Sequence, residues 1–269
     1  MKSKAYQIVY DEYSSGKADS GFQVLDNREN LRPDWREYWP IRNHLKRNPY
    51  FQGYRGYLST KFREKTGLAS STVTEFLQSS CSDVVSFSPF IDQSAFYSNI
   101  FQHGEMNHPG LMNIIKQFLG YLGIEIEIEN QIADHRYFIF SNFFFANENF
   151  WAKWCFFAEQ LFDISEAGDS ELGVMLSSST SYRTGEQVQM KVFVMERLAS
   201  LVLHLFPAFS VRAYPAFLLP SFGSKVSRFP AEMGICNALK SQISVSDEPI
   251  YRHLFDSIRT SVLEKSGCQ

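Results

Sequence analysis

Hydrophobic positions along the chain fall into short runs separated by polar, glycine- and proline-containing stretches. "AYQIVY" is β-rich and stops at Asp11–Glu12, and "FQVLDN" is a second short strand that ends in an acid and an amide. "FQGYRGYLST" reads as a third strand with its flanking turns, and "DVVSFSPF" as a buried fourth, stopped by Pro89. "HRYFIFSNFFFAN" is the longest β-like run, and "FSVRAYPAFLL" reads as a terminal strand.

Helical patterns lie between these runs. "DWREYWPIRNHL" opens a helix with Asp34 as its cap and Pro40 near a turn, and "TVTEFLQSS" is the next. "SAFYSNIFQHGEMNHPGLMNIIKQFLGYLG" reads as helix, loop, helix, with Gly104 and Pro109 marking the loop and Gly120 and Gly123 the end. "ENFWAKWCFFAEQLFDISE" puts Phe150, Trp154, Phe157 and Leu161 on one stripe, and "VQMKVFVMERLASLVLHLF" is another long helix. The tail from Asp247 carries Ile250, Leu254, Ile258 and Val262 on a stripe. Strands alternating with helices predict an α/β protein with a mostly parallel central sheet. Without internal repeats or a low-complexity linker, the chain divides into one α/β domain over residues 1–225 and a helical C-terminal extension over 226–269.

Composition narrows the function. The 269 residues are ample for a buried core, and 44% hydrophobic with 20% charged residues is a globular mixture. A net charge of −3 gives no general attraction to nucleic acid or anionic lipid, so any phosphate must be held by a local cluster. The 25 Phe leave aromatic faces to line a cleft as well as a core. Cys81, Cys155, Cys236 and Cys268 form no CxxC pair, and "MKSKAYQIVYDEY" has no apolar signal core, which points to reduced thiols in a cytoplasmic protein. The two most apolar stretches are interrupted by Asn142, Glu148 and Lys153, and by Pro207, Arg212 and Pro215, so neither spans a bilayer.

In open α/β sheets ligands bind outside the carboxyl ends of the strands. Asp11–Glu12, Asp26–Asn27, "STKFREK", Ser88 with Asp92, and Ser141–Asn142 all fall at such places. Lys61, Arg63 and Lys65 suit a diphosphate, Arg as a fork and Lys as a point charge; the plain alternative is a solvated turn. No GxxxxGK[ST], GxGxxG, GxSxG or HExxH occurs. "HGEMNH" brings His103, Glu105 and His108 together at no standard metal spacing; His108 reads as a ligand-touching loop residue or as plain loop structure. Glu196 and Arg197 sit inside an otherwise apolar helix, where a carboxylate is either paired or a general base. The aromatic segment 24–45 either walls a ligand pocket, with Trp35, Tyr38 or Trp39 as stacking faces, or closes the core.

The order of these motifs, from "LDN" and "DWREYWPIRNHL" through "KFREKTGL", "DVVSFSP" and "YFIFSNFFFANENFW" to "RTGEQVQMKVFVMERL", resembles the GT-A-like glycosyltransferases of bacterial surface-polysaccharide clusters over residues 4–220. The resemblance implies a GT-A-like (Rossmann-like) fold and a nucleotide-sugar donor. On this reading Tyr10, Asp11, Asp26 and Asn27 contact the nucleoside, and Lys61, Arg63 and Lys65 lie near the diphosphate. Asp92 and Glu196 are the catalytic pair, with Glu196 as base, and His108, Ser141 and Asn142 meet the acceptor. Such enzymes typically hold Mn or Mg through a DxD motif; the corresponding strand here reads "DVVSFSPFID" and has none. Either cations at 61–65 neutralise the leaving diphosphate, or the protein is not a working transferase. The implied function is transfer of a sugar to a glycan or lipid-linked acceptor of a capsule or O-antigen, in the cytoplasm or peripherally at the inner membrane. The rivals are a non-catalytic glycan- or partner-binding protein acting through the C-terminal helix, and an unrelated α/β hydrolase built on Asp92 and His108.

Overall fold

The first apolar run folds as strand β1 (Ser3–Val9), which buries Ile8 and Val9 completely or nearly so. The computed structural model describes residues 3–181, 185–246 and 248–267; Cys268, Asp247 and the Arg183–Thr184 part of the late motif lie outside these. The other strands are β2 (Gln23–Asp26), β3 (Tyr54–Ser59), β4 (Val84–Ser86), β5 (Phe144–Ala146), β6 (Ser179–Ser181), β7 (Gln187–Gln189) and β8 (Val211–Ala213). β6 and β7 form a small hairpin, and the remaining six build one sheet in the order β2-β1-β3-β5-β4-β8. β1 pairs in parallel with β2 and β3, and β4 with β8, whereas β5 runs antiparallel to both β3 and β4. The chain is α/β with a mixed central sheet in which β5 is reversed. That reversal puts the amino end of β5 at the same edge as the carboxyl ends of β1 and β3.

Successive strand residues point to opposite faces. Tyr57, Val84 and Phe144 accordingly join one hydrophobic cluster, while their neighbours Leu58, Val85 and Phe145 join another. Both faces are covered. The larger cluster is roofed by helix Glu148–Ala167, capped by Asn147 and burying the predicted stripe of Phe150, Trp154, Phe157 and Leu161.

Four local expectations are corrected. Residues 34–45 do not form one helix: a 3-10 turn, Pro33–Trp35, precedes helix Tyr38–Arg47, and the break falls at Arg36, with φ of 46°. Asp34 caps nothing; it pairs with Arg32 and Lys191, both at 2.7–2.8 Å. The long apolar run around 135–147 yields only the three residues of β5, because Ser141 and Asn142 turn the chain at φ of 56° and 54°. The helix expected over 188–206 splits into Met190–Glu196 and Leu198–Leu205, with β7 before them.

The fourth correction concerns Gly104, which sits inside helix Ile100–Asn107 and not in the loop. A Cβ there would lie 2.5 Å from Nε of the buried Arg197 and 3.0 Å from Leu111, so glycine is needed for close approach. Gly104→Ala is expected to cost about 1–3 kcal/mol in a denaturant unfolding experiment, because the guanidinium must shift inside a packed core.

Helices Pro230–Ser246 and Pro249–Ser266 form the C-terminal region and bury Met233, Cys236, Ile243, Phe255 and Val262 against Ile91, Ala95 and Phe96. They grip the backbone of that segment: Lys240 donates to the Ser94 and Tyr97 carbonyls at 2.8 and 3.0 Å, and Arg259 donates to Phe96. The tail stripe is divided, with Val262 buried and Ile250 and Leu254 exposed. Cys81, Cys155 and Cys236 are free thiols. No helix among the described residues is long and apolar enough to cross a membrane.

Candidate functional site

Three strand ends meet at one edge of the sheet. β1 leaves as Tyr10–Asp11, β3 ends at Ser59 and continues as Thr60–Lys61, and reversed β5 is preceded by Ser141–Asn142. Together with Asn30, the segment 33–38 and Glu196, they wall a cleft of about 760 Å³. Nine of the residues singled out in the sequence line it: Tyr10, Asp11, Trp35, Tyr38, Lys61, Lys65, Ser141, Asn142 and Glu196.

Local structure fixes several of the lining residues. The Asp11 carboxylate accepts from Ser14 N at 2.7 Å while Ser14 Oγ accepts from the Tyr10 and Asp11 amides, a reciprocal cap on helix Glu12–Gly16. Those bonds to Ser14 hold the carboxyl below its ordinary pKa. Lys65 reaches Ser141 Oγ at 2.8 Å, Arg36 pairs with Glu186 at 2.5 Å, and Lys17 lies over the Tyr13 ring at 4.3 Å.

Backbone strain gathers here. Among the described residues, the non-glycine positions with positive φ are Asn30, Arg36, Phe90, Ser141 and Asn142, and all but Phe90 line this cleft. Left-handed conformations in non-glycine residues cost of order 1 kcal/mol or more each and concentrate where function demands a particular placement.

Two carboxyls face each other's field in this cleft. Glu37 is pushed up to about 7 by burial first and by the Glu196 charge second, against weaker opposition from Asn142, Lys65 and Arg36. Burial likewise raises Glu196, with Arg197, Lys65 and Arg36 opposing. Both side chains are half-buried at the cleft wall, and the repulsion falls on whichever ionises second. Asn142 Nδ2 approaches Glu37 at 3.4 Å, while Asn142 Oδ1 and Tyr10 Oη are buried without a hydrogen-bond partner. Burial and the nearby Glu37 push the Tyr10 phenol well above its ordinary pKa, so it stays a neutral donor.

The other sequence candidates lie elsewhere. Asp26 is clamped by Arg28 in a fork of 2.6–3.1 Å and, with Asn27, lines a neighbouring pocket of about 550 Å³ that shares Asn30 with the cleft. Arg63 is exposed and its charge acts on Asp19. Asp92 is fully buried and accepts from Phe222 N, Ser224 N, Ser224 Oγ and Ser227 Oγ at 2.6–3.0 Å, so it organises the 222–227 turn and does not face the cleft. His108 stacks on Phe193 with centroids 3.6 Å apart, and burial followed by the Arg197 charge lowers it to about 4. His103 meets Gln93, and Glu105 accepts from the Gly110 and Met112 amides. "HGEMNH" is therefore a structural corner, in which His103 feels the charge of Asp92.

Glu37, Arg36 and Asn30 went unnoticed in the sequence. The available signal was an acid set between aromatic residues in "WREYW", where the neighbours Trp35 and Tyr38 turn out to be core. Trp39 is half-buried against Phe162 at 6.2 Å. The aromatic segment thus grips helix Glu148–Ala167 with its rings and offers Arg36 and Glu37 to the cleft.

No protein-family model, curated protein or solved structure matches this chain. Its chemistry is read from the cleft itself. Among the described residues no group of three or more His, Cys, Asp or Glu is placed to hold a metal ion.

Proposed function

We propose that this cleft is the active site of a GT-A-like glycosyltransferase, which takes a nucleotide-activated sugar and transfers it to a hydroxyl of a glycan or lipid-linked acceptor. The observation that carries the reading is the meeting of Glu37 and Glu196 with two buried polar atoms, Asn142 Oδ1 and Tyr10 Oη, that lack partners within the protein. With Ser59, Thr60 and Ser141 on the same walls, the cleft offers the donors and acceptors that a hydroxyl-rich ligand needs. Lys17, Lys61 and Lys65 on the same walls suit the diphosphate of a donor.

The chemistry follows from those positions. Glu196, ionised, takes the proton of the acceptor hydroxyl as its oxygen bonds to the anomeric carbon. The bond from that carbon to the diphosphate breaks, and its electron pair leaves on the diphosphate beside the lysines. Glu37, held protonated by burial and by its neighbour, donates a hydrogen bond to the sugar and keeps the pair from carrying two charges.

Incubation with a panel of nucleotide sugars is expected to release a nucleoside diphosphate from at least one of them, and faster when oligosaccharide acceptors are added. Release from none, with the folded protein, contradicts the reading. Lys65→Ala is expected to weaken nucleoside diphosphate binding about tenfold, the worth of one charge-assisted contact, as read by calorimetric titration.

A further inference from the structure

β8 is parallel to β4, and β4 and β3 are both antiparallel to β5, so β8 points the same way as β3. The segment leaving β8 therefore departs from the edge on which the cleft opens, two strand spacings or about 10 Å beyond β5. That segment displays three large apolar side chains to solvent: Phe217, Leu218 and Phe222 are 54%, 69% and 67% exposed. Apolar side chains so displayed, close together in sequence, usually have a surface to meet.

The display is rigid. Fully buried Asp92 holds the turn through its four bonds to residues 222, 224 and 227. Phe90 N donates to the Pro220 carbonyl at 3.2 Å, and the Phe90 and Phe222 rings meet edge-on at 5.5 Å. Phe90 itself adopts φ of 72°. A buried carboxylate and a strained residue are thus committed to holding three apolar side chains in water. Next along the chain, Lys225 and Arg228 are exposed on the 3-10 turn Lys225–Arg228, Arg228 donating one N–H to the Lys265 carbonyl at 2.5 Å, and Glu232 is the single acid between residues 214 and 240.

We propose that the 216–228 loop is a docking element for an anionic lipid surface, its apolar tips entering the acyl boundary while Lys225 and Arg228 meet headgroup phosphates. Protruding apolar tips with a basic collar match the layering of a bilayer interface, where no complementary groove is required. Tyr13 and Leu31, on the segments that leave β1 and β2 at this same edge, are 72% and 70% exposed. Docking places the cleft mouth alongside the lipid surface. The inference goes beyond the reading of the cleft, and it is tested without turnover.

The test is flotation of the purified full chain with vesicles of phosphatidylcholine, with and without phosphatidylglycerol. The chain is expected to float with the phosphatidylglycerol vesicles, and the triple variant Phe217→Ser, Leu218→Ser, Phe222→Ser to bind them at least about tenfold more weakly. Phe217→Trp reports insertion directly, because its emission is expected to move to shorter wavelength on vesicle addition. Equal binding by the triple variant, equal binding to both vesicle compositions, or no emission shift overturns the proposal. So does a concentration-dependent dimer that the triple variant abolishes, which assigns the loop to a second copy of the chain.

Discussion

Glu196→Gln is expected to lower sugar transfer by about a hundred- to ten-thousandfold while leaving nucleoside diphosphate affinity within about twofold, the usual worth of a general base that touches the acceptor and not the donor phosphates. The amide preserves shape and cannot take a proton. Glu37 gives the companion experiment, because the two carboxyls share one field. Its pKa stands near 7, above the ordinary 4.5. A group raised in the fold favours folding below its ordinary value and loses that contribution as pH rises, here across about 4.5 to 7. Transfer needs Glu196 ionised, and burial raises its pKa above the ordinary carboxylate value, so activity is expected to climb with pH from the acid side. Glu196 ionises first, so the repulsion falls on Glu37, and Glu37→Gln is expected to leave the acid limb of the pH–rate profile in place and to abolish the loss of activity that ionisation of Glu37 causes above about pH 7. An alkaline fall that survives the substitution removes Glu37 from the chemistry.

Asp92→Ala is expected to cost about 3–5 kcal/mol of stability, because a fully buried carboxylate leaves and two backbone amides and two hydroxyls lose their acceptor together. The bonds from Ser224, Phe222 and Ser227 hold its pKa below the ordinary value, against burial. Its contribution is therefore complete above about 4, the ordinary carboxylate range, and is lost as pH falls through the depressed folded value. Denaturant unfolding of the wild type at neutral and at acid pH, beside the variant, checks both statements. Below its melting temperature the variant is expected to keep the wild-type turnover per folded molecule. A loss of turnover without loss of stability returns Asp92 to the reacting atoms.

The sequence made the sheet and its edge legible where burial and period agree. β1, β2, β3 and β4 show short apolar runs closed by polar residues, and the polar closures of β1 and β3 are those that wall the cleft. It misled where apolar content was read as strand: Phe138, Ile139 and Phe143 are buried as tightly as any strand residue, yet Ser141 and Asn142 turn the chain between them. Composition does not report φ. Asp26 and Asp92 looked alike as acids after strands, and their difference lies in partners distant in sequence or supplied by one neighbour: Ser224 and Ser227 for Asp92, Arg28 for Asp26. Glu37 was hidden by its company. Trp35 and Tyr38 mark the segment as core, while the backbone turn at Arg36 directs the carboxyl the other way.

The reading of the cleft meets its most direct test in calorimetric titration of nucleoside diphosphates into three proteins: the wild type, Lys65→Ala and Arg63→Ala. Lys65 lines the cleft and Arg63, two residues away, faces solvent. Saturable binding of at least one nucleotide by the wild type, weakened by Lys65→Ala and unchanged by Arg63→Ala, is the expected result. No binding, or the same loss from both substitutions, contradicts a nucleotide site at this edge of the sheet.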